Sequence, residues 1–409
     1  MLTKESAVAL TLQEYAQRLV DSTLLSIEEV KDFVGRLPNR RADDAIDVLA
    51  KALKQAGKLT EFQDRRVKGG HIKGLVLGNY LVLDEIGQGA NGMVFRARHR
   101  KMTRIVALKM IPPAMLQNET AGKRFQREVE AMSRVSHPNI VAAFDAGEDK
   151  GACFLILEFV EGRDLSRTIK NGRPLSVEDA VEYTLQAARG LAHAHAMGIV
   201  HRDIKPANLL LSKEGVVKIL DMGLARVDDP NSTNLTQTGS IMGTVDYMPP
   251  EQTMDSKAAD HRADIYSLGC TLFHLATGRP VYESESLVGK IIAHREEPIP
   301  SLLEVRPEIP PRLDQIFQRM VAKDPDDRYQ SMQEVVEHLE NLYDPPGPEE
   351  DLDAPVVDSP EPEHEHELPR ESAGTIKGFF DSTFGFVVTM LVALAAMLGF
   401  LTWWMFGRT

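Results

Sequence analysis

The spacing of apolar residues changes period twice along this chain of 409 residues, and that change limits the architectures open to it. Up to about residue 70, apolar side chains recur at helical intervals: Leu12, Tyr15 and Leu19, then Ile27, Val30 and Val34, then Ile46, Leu49 and Leu53. Ser26 with Glu29, and Thr60 with Gln63, match the capping box, in which the residue before a helix and the third residue within it exchange hydrogen bonds. The two boxes stand 34 residues apart, each after a leucine, Leu25 or Leu59, which hints at a helical duplication. Lys68 to Gly74, with three glycines and two lysines, reads as a linker. From Tyr80 the pattern alternates: Tyr80 to Ile86, Met93 to Arg98 and Ile105 to Met110 read as strands. Helical spacing returns from about Val177 to Leu342. Strands followed by helices predict an α+β domain of two lobes over 80–342, preceded by a small all-α domain over 1–70.

Charge sorts the remainder of the chain. The net charge is −13, yet Asp344 to Arg370 alone holds ten acids against one base, so the rest carries only −4. With seven prolines as well, 344–370 is expected to be a disordered, self-repelling tether. Its Glu363-His364-Glu365-His366-Glu367 run reads as solvated linker, since nothing there fixes a coordination geometry. No basic balance points to nucleic acid as a partner. Two distant cysteines, Cys153 and Cys270, exclude a disulfide framework or a zinc ribbon and fit a reducing compartment. Met1 to Leu10 contains Lys4 and Glu5 and lacks the apolar core of a secretory leader. Phe386 to Phe406, by contrast, is 21 residues without a charge. As a helix it would measure about 31 Å, the thickness of a bilayer's hydrocarbon, with Trp403 and Trp404 near one interface. One C-terminal transmembrane helix over 386–406 is therefore expected.

Three segments carry chemistry. Gly87-Gln88-Gly89-Ala90-Asn91-Gly92 has the G-x-G-x-x-G spacing that lets backbone N–H groups approach phosphates. In a dinucleotide fold that loop opens a helix, whereas here a strand follows, so a flap over nucleotide phosphates is expected, with Val94 directed at the base. Lys109, inside the apolar run Val106-Ala107-Leu108-Lys109, loses hydration unless an anion meets it; a snorkelling edge lysine would fit the same pattern. Glu128, among Phe125, Val129 and Met132, is a candidate partner, though a surface glutamate fits that spacing too. The densest cluster is His201-Arg202-Asp203-Ile204-Lys205-Pro206-Ala207-Asn208, followed by three leucines. Asp203 can orient a hydroxyl and accept its proton, Lys205 can neutralise a transferring phosphoryl group, and Asn208 offers oxygen to a hard cation. Thirteen residues further, Asp221 in Leu220-Asp221-Met222-Gly223 supplies a second metal ligand. This set is what phosphoryl transfer requires, a chemistry of positioning and charge neutralisation.

With these motifs in order, the 263 residues from Tyr80 to Leu342 resemble a eukaryotic-type (Hanks-type) protein kinase and are most similar to bacterial membrane-attached Ser/Thr kinases. The resemblance implies a bilobal protein-kinase fold, ATP and Mg2+ as cofactors, and protein substrates presenting Ser or Thr. It implies that Lys109 holds the α- and β-phosphates and pairs with Glu128. Asp203 would be the catalytic base, and Asn208 and Asp221 the magnesium ligands. Ile86, Gly87, Gly89, Gly92 and Val94 would cover the nucleotide. Glu158 and Val160 would meet the adenine edge through backbone groups, and Ala107 and Leu210 would sandwich the ring. Gly243 to Glu251 resembles the segment that shapes the peptide site, with Lys205 and Thr244 the pair that similar kinases use on Ser or Thr. Asp264 would anchor the catalytic loop, and Arg328 would pair with Glu251.

Two departures stand out. Met222 replaces the phenylalanine of Asp-Phe-Gly, and Pro249 the alanine of Ala-Pro-Glu; methionine fills an apolar pocket at modest cost, and neither change removes a charged catalytic group. Lys109, Asp203 and Asp221 together weigh against the alternative, a pseudokinase scaffold that binds nucleotide or partners without catalysis. ATP inside the cell implies a single-pass protein of the cytoplasmic membrane, its kinase facing the cytoplasm. Arg202 and Arg226 resemble the cationic pocket of kinases that are switched on by phosphorylation. Thr236 and Thr238 are the expected sites, modified in trans through self-association.

Overall fold

The computed structural model describes residues 10–39, 42–89, 92–112, 129–170, 172–222, 244–254 and 259–344, all within a compact unit spanning Met1–Glu350. Glu128, Thr236, Thr238, the tether beyond Asp344 and the apolar span 386–406 lie outside the described residues. Among the described residues, no helix is long and apolar enough to cross a membrane.

The N-terminal block is two helix–turn–helix pairs of the same build: α1 (Leu12–Asp21) with α2 (Ile27–Gly35), and α3 (Ala45–Gln55) with α4 (Glu61–Lys68). Each first helix ends in a turn through the left-handed region, at Thr23 (φ +60°) and at Gly57 (φ +66°) 34 residues on. Buried Leu25 and Leu59 follow, and then the reciprocal capping boxes of Ser26 with Glu29 and of Thr60 with Gln63. Tyr15 and Leu19 in α1 match Leu49 and Leu53 in α3, and all four are fully buried. A third capping box, Thr11 with Glu14, starts α1. Buried Asp64 ties the block together, accepting the Tyr15 hydroxyl at 2.8 Å and pairing with Lys54 at 3.2 Å and Lys68 at 3.4 Å.

Next comes a six-stranded antiparallel sheet: β1 (Val76–Leu77), β2 (Tyr80–Gly89), β3 (Gly92–His99), β4 (Ile105–Met110), β5 (Ala143–Asp149) and β6 (Ala152–Glu158), in the order β1-β2-β3-β4-β6-β5. β2 runs three residues past the expected Ile86, and bulges at Leu83 and Ile86 interrupt its pairing with β3. Cross-strand register divides the sheet's faces. Ala97, Val106, Leu108, Phe154 and Ile156 point to one side, where they share a core with Tyr15, Leu19, Leu49, Leu53, Phe62 and Val67. The helical block thus covers the outer face of the sheet, and burying each such aliphatic side chain contributes about 1.5–3 kcal/mol. Val94, Ala107, Lys109, Leu155 and Leu157 point to the other side.

The second lobe is mostly helical. Its elements are β7 (Gly162–Asp164), α5 (Leu165–Thr168), α6 (Val177–Ala196), β8 (Leu209–Ser212), β9 (Val217–Ile219), α7 (Pro250–Met254), α8 (Arg262–Thr277), α9 (Leu287–Glu296), α10 (Leu302–Val305), α11 (Pro311–Met320) and α12 (Met332–Glu340). α8 is buried on all sides, as suits a helix at a lobe's centre. Gly190 lets α6 lie against β9: a Cβ there would stand 2.9 Å from Ile219 Cδ1 and 3.0 Å from the Asn139 carbonyl. The β8–β9 hairpin resting on α6 leads directly to Asp221.

Candidate active site

Asp264 on α8 organises the loop that carries Asp203. Its carboxylate is fully buried and accepts the backbone N–H of His201 at 2.8 Å, the N–H of Arg202 at 2.7 Å and the ring of His195 at 2.8 Å. Burial alone would raise its pKa, but the hydrogen bonds from His195 and from the His201 backbone N–H help to outweigh that and hold the carboxyl below its usual range. His201 ties two loops together. The N–H of Asp203 donates to His201 Nδ1 at 3.2 Å, which assigns the ring proton to Nε2, and Nε2 donates to the Leu220 carbonyl at 2.8 Å, just before Asp221. Leu220 N–H donates in turn to the Asn208 carbonyl at 2.9 Å. Arg202 (φ +66°) and Asp221 (φ +58°), the residue before one aspartate and the other aspartate itself, both hold left-handed backbone.

Within this frame the polar side chains converge. Lys205 Nζ donates to both carboxylate oxygens of Asp203, at 2.8 and 2.9 Å, and to Thr244 Oγ1 at 2.7 Å. Asn208 Nδ2 donates to the Asp203 carbonyl at 2.7 Å and to Asp203 Oδ2 at 3.0 Å. With the amide nitrogen committed to Asp203, the Asn208 amide oxygen is left as an acceptor, and Asn208 and Asp221 could offer a hard cation the oxygen ligands it takes. Lys109, only 3% exposed, reaches from the sheet to Asp221, Nζ to Oδ1 2.6 Å. Its family-implied partner, Glu128, is outside the described residues.

The nucleotide-facing candidates sit on the side of the sheet opposite the helical block. Val94 pairs directly with Lys109 across β3 and β4, with Ala107 two residues away on the same face. Val94, Ala107 and Leu210 belong to neither of the two apolar cores of the described residues. Ile86 is 43% exposed at its bulge, and Gly87 pairs with Val94. Gly89 closes β2 against Gly92, which must be glycine for a structural reason: φ is +107°, and a Cβ would stand 2.2 Å from the Met110 carbonyl. Glu158 and Val160 lie where β6 leaves the sheet.

Several contacts have no signal in the sequence. The Glu158 side chain, expected to matter only through its backbone, pairs with Lys218 at 3.0 Å and accepts the Ala142 N–H at 3.3 Å. Asp246, beside Thr244, forms an ion pair with Lys290 on α9. Burial raises the Asp246 carboxyl pKa, against the pull of Lys290. Arg328 does fork onto Glu251, both contacts at 2.8 Å, and Met222 is buried in the main core as its position in the motif required.

A bilobal fold with a lysine from the sheet reaching an aspartate, beside a lysine- and asparagine-bound second aspartate, defines a phosphotransferase cleft. The protein kinase domain family matches residues 80–339, and the chain belongs to that family. It is 38% identical over 260 residues to the serine/threonine-protein kinase PknD of Mycobacterium tuberculosis, a match covering 63% of this chain and 39% of the relative. It is 36% identical over 258 residues to a probable serine/threonine-protein kinase, PknB, of Lactococcus lactis, covering 63% and 41%. A probable serine/threonine-protein kinase of Clostridium perfringens is 35% identical over 274 residues, covering 67% and 40%. The chain thus spans about two fifths of the length of these curated relatives. Among solved structures, the M. tuberculosis PknI kinase domain superposes with a TM-score of 0.53 at 28% identity, covering 66% of this chain and 97% of that one.

Proposed function

We propose that this protein is a membrane-anchored serine/threonine protein kinase that transfers the γ-phosphoryl group of ATP to protein hydroxyls. The observation that carries this reading is the 2.6 Å approach of Lys109 to Asp221 alongside an Asp203 held by Lys205 and Asn208. Lys109 gives its ammonium to the ATP phosphates, exchanging one anion for another. Magnesium bound with ATP supplies charge neutralisation on the transferring group, and Asp221 and Asn208 are the residues that would hold it. Asp203, oriented by its two donors, accepts the proton of the attacking hydroxyl. Lys205 brings positive charge to the same place and, through Thr244, links it to the peptide-binding segment. The test is phosphate transfer from labelled ATP to a generic protein. Lys109→Met, Asp203→Asn and Asp221→Asn should each lower the rate by about 10²-fold or more. Near-normal transfer by Asp203→Asn would overturn the assignment. ATP binding without transfer in the wild type would make the chain a scaffold.

The 386–406 segment is the anchor in this reading, with Arg370 and Lys377 preceding it on the cytoplasmic side and Arg408 opposing that tendency. Truncation after Asp344 should give a soluble, active kinase, and its recovery in the membrane fraction would contradict the anchor. Activation proceeds by autophosphorylation in trans on Thr236 or Thr238, where a phosphate of about −2 charge can bond Arg202 and Arg226. A Thr236→Ala, Thr238→Ala protein as active as wild type would rule this out.

A further inference from the structure

We infer that α4 of the N-terminal block is a positioning element for nucleotide binding, acting through Thr60 and Gln63 on the edge of β2. The inference rests on the kinase reading above.

β1 is two residues long and pairs with Tyr80 and Leu81, so among the described residues β2 has no neighbouring strand on its outer side from Val82 onward. Val82 N–H donates to the Leu75 carbonyl at 3.0 Å. Beyond that, helix side chains take over the edge. Gln63 Nε2 donates to the Val82 carbonyl at 2.6 Å, and Thr60 Oγ1 donates to the Leu83 carbonyl at 2.6 Å. Leu83 is the residue at the first bulge, where pairing steps from Val82 with Ala97 to Asp84 with Arg96. A second bulge follows at Ile86, immediately before Gly87. A bulge interrupts the ladder between β2 and β3 and leaves the strand's backbone with fewer cross-strand bonds there, and α4 grips the strand at the first of them.

The same two side chains also start the helix. Thr60 Oγ1 accepts the Gln63 N–H at 3.1 Å, and Gln63 Oε1 accepts the Thr60 N–H at 2.8 Å. Each therefore bonds the helix terminus on one side and the strand edge on the other, and Gln63 is 1% exposed. The duplicated architecture supplies an internal comparison. The boxes at Thr11 with Glu14 and at Ser26 with Glu29 are solvent-exposed and use glutamate. Only the box that faces the sheet uses glutamine, whose amide has a donor to give; a glutamate there would cap the helix equally but set a carboxylate against a carbonyl. The amide is thus explained by the contact with β2, because capping alone does not need it.

Thr60 and Gln63 touch no substrate; they hold the strand whose far end carries Ile86 and Gly87. The test uses the full chain. Binding of a fluorescent ATP analogue with magnesium is titrated, and KM for ATP, kcat and KM for a protein substrate are measured alongside. Gln63→Glu and Thr60→Val should weaken nucleotide binding and raise KM for ATP by about 5-fold or more, the lower end of site-to-site coupling, with kcat and the protein-substrate KM little changed. Thr60→Ser, which keeps the hydroxyl, should restore wild-type affinity, and Glu29→Gln at the duplicate position should have no effect. A merely structural role would lower the active fraction, hence kcat, and leave KM for ATP alone; that outcome overturns the inference. Should Gln63→Glu fail to fold, the Thr60→Val and Thr60→Ser pair decides, and equal nucleotide affinity in those two overturns it. A wild-type chain that does not bind the analogue would overturn the kinase reading and this inference with it, whereas wild-type binding matched by all variants overturns the inference alone.

Discussion

Arg202 donates its backbone N–H to Asp264 at 2.7 Å while holding a left-handed φ of +66°, one residue before Asp203. A non-glycine residue in that region costs about 1–3 kcal/mol and persists only where its surroundings impose it. Here the imposing group is a buried carboxylate on the central helix that grips the loop through two consecutive N–H groups. Asp264→Asn keeps the size but replaces one acceptor oxygen with an amide nitrogen, so Arg202 N–H loses its partner at Oδ1 or His195 and His201 N–H both lose theirs at Oδ2. The expected result is a fall in kcat on the order of 10²-fold from a displaced Asp203, with ATP binding retained. Steady-state kinetics with a parallel nucleotide titration checks this; unchanged kcat would mean the loop holds its shape without Asp264.

Lys205 bridges Asp203 and Thr244, so Thr244 bears on the chemistry without taking part in it. Thr244→Val is nearly isosteric but cannot accept the ammonium, and Thr244→Ser can. We expect kcat about 10-fold lower or worse for the valine variant, within the range a misplaced catalytic group produces, and near-normal turnover for the serine variant. A serine variant as slow as the valine variant would mean that the hydroxyl's hydrogen bond to Lys205 does not account for the loss.

The chemistry was legible in the sequence because phosphoryl transfer tolerates few side chains at Lys109, Asp203, Asn208 and Asp221, and those types stand at telling intervals. Strand alternation and helical spacing gave the order of elements for the same reason of periodicity. What stayed hidden is pairing across long separations: nothing local to Asp246 or Glu158 indicates Lys290 or Lys218. The placement of the helical block was hidden too, since Lys68 to Gly74 reads as a linker. It in fact returns the chain to a buried Leu75 and to β1. One clue was available: Ile105 to Leu108 is apolar at four consecutive positions without alternation, and a strand apolar on both faces needs something to cover each side of the sheet.

Arg328 is a buried guanidinium that forks onto Glu251 at 2.8 Å, donates to the carbonyls of Ala322, Arg262 and Lys323, and lies 4.8 Å from the Tyr266 ring centre. Taking away its counter-charge strands a buried cation, so Glu251→Ala should cost about 3–5 kcal/mol of unfolding free energy. The exposed i,i+4 pair of Arg36 and Asp32 is the control, and Asp32→Ala should change stability by less than about 0.5 kcal/mol. Urea unfolding of the three proteins gives the comparison. A Glu251→Ala loss as small as that of Asp32→Ala would show that the carbonyls alone satisfy Arg328.

Acid should destabilise the helical lobe through two histidines held neutral. Burial pushes His274 down to about 4, its Nδ1 lying 2.7 Å from the Tyr247 hydroxyl. Burial, then the charge of Lys323, pushes His294 down to about 4 as well; its Nδ1 lies 2.7 Å from the Tyr266 hydroxyl, and Lys290 adds to the repulsion. Both folded values lie below the ordinary 6.5. Above pH 6.5 neither state binds these protons, so stability is unaffected. As pH falls from 6.5 towards 4 the unfolded chain takes up protons that the folded chain refuses, and stability is lost across that window. At about 1.4 kcal/mol per unit of separation, each histidine accounts for roughly 3 kcal/mol by pH 4, discounted for partial solvent access. Asp264, with its lowered pKa, adds its own loss only below its ordinary value of 3.8. The histidine contribution should therefore be flat from pH 8 to 7 and fall steeply below 6.5, whereas Lys323, pushed down by burial from 10.5 to about 8, adds a loss that is largely complete by pH 7. His274→Gln removes one titrating group and should make that fall shallower. An identical slope in the variant would mean that His274 takes up its proton in the folded protein as readily as in the unfolded one.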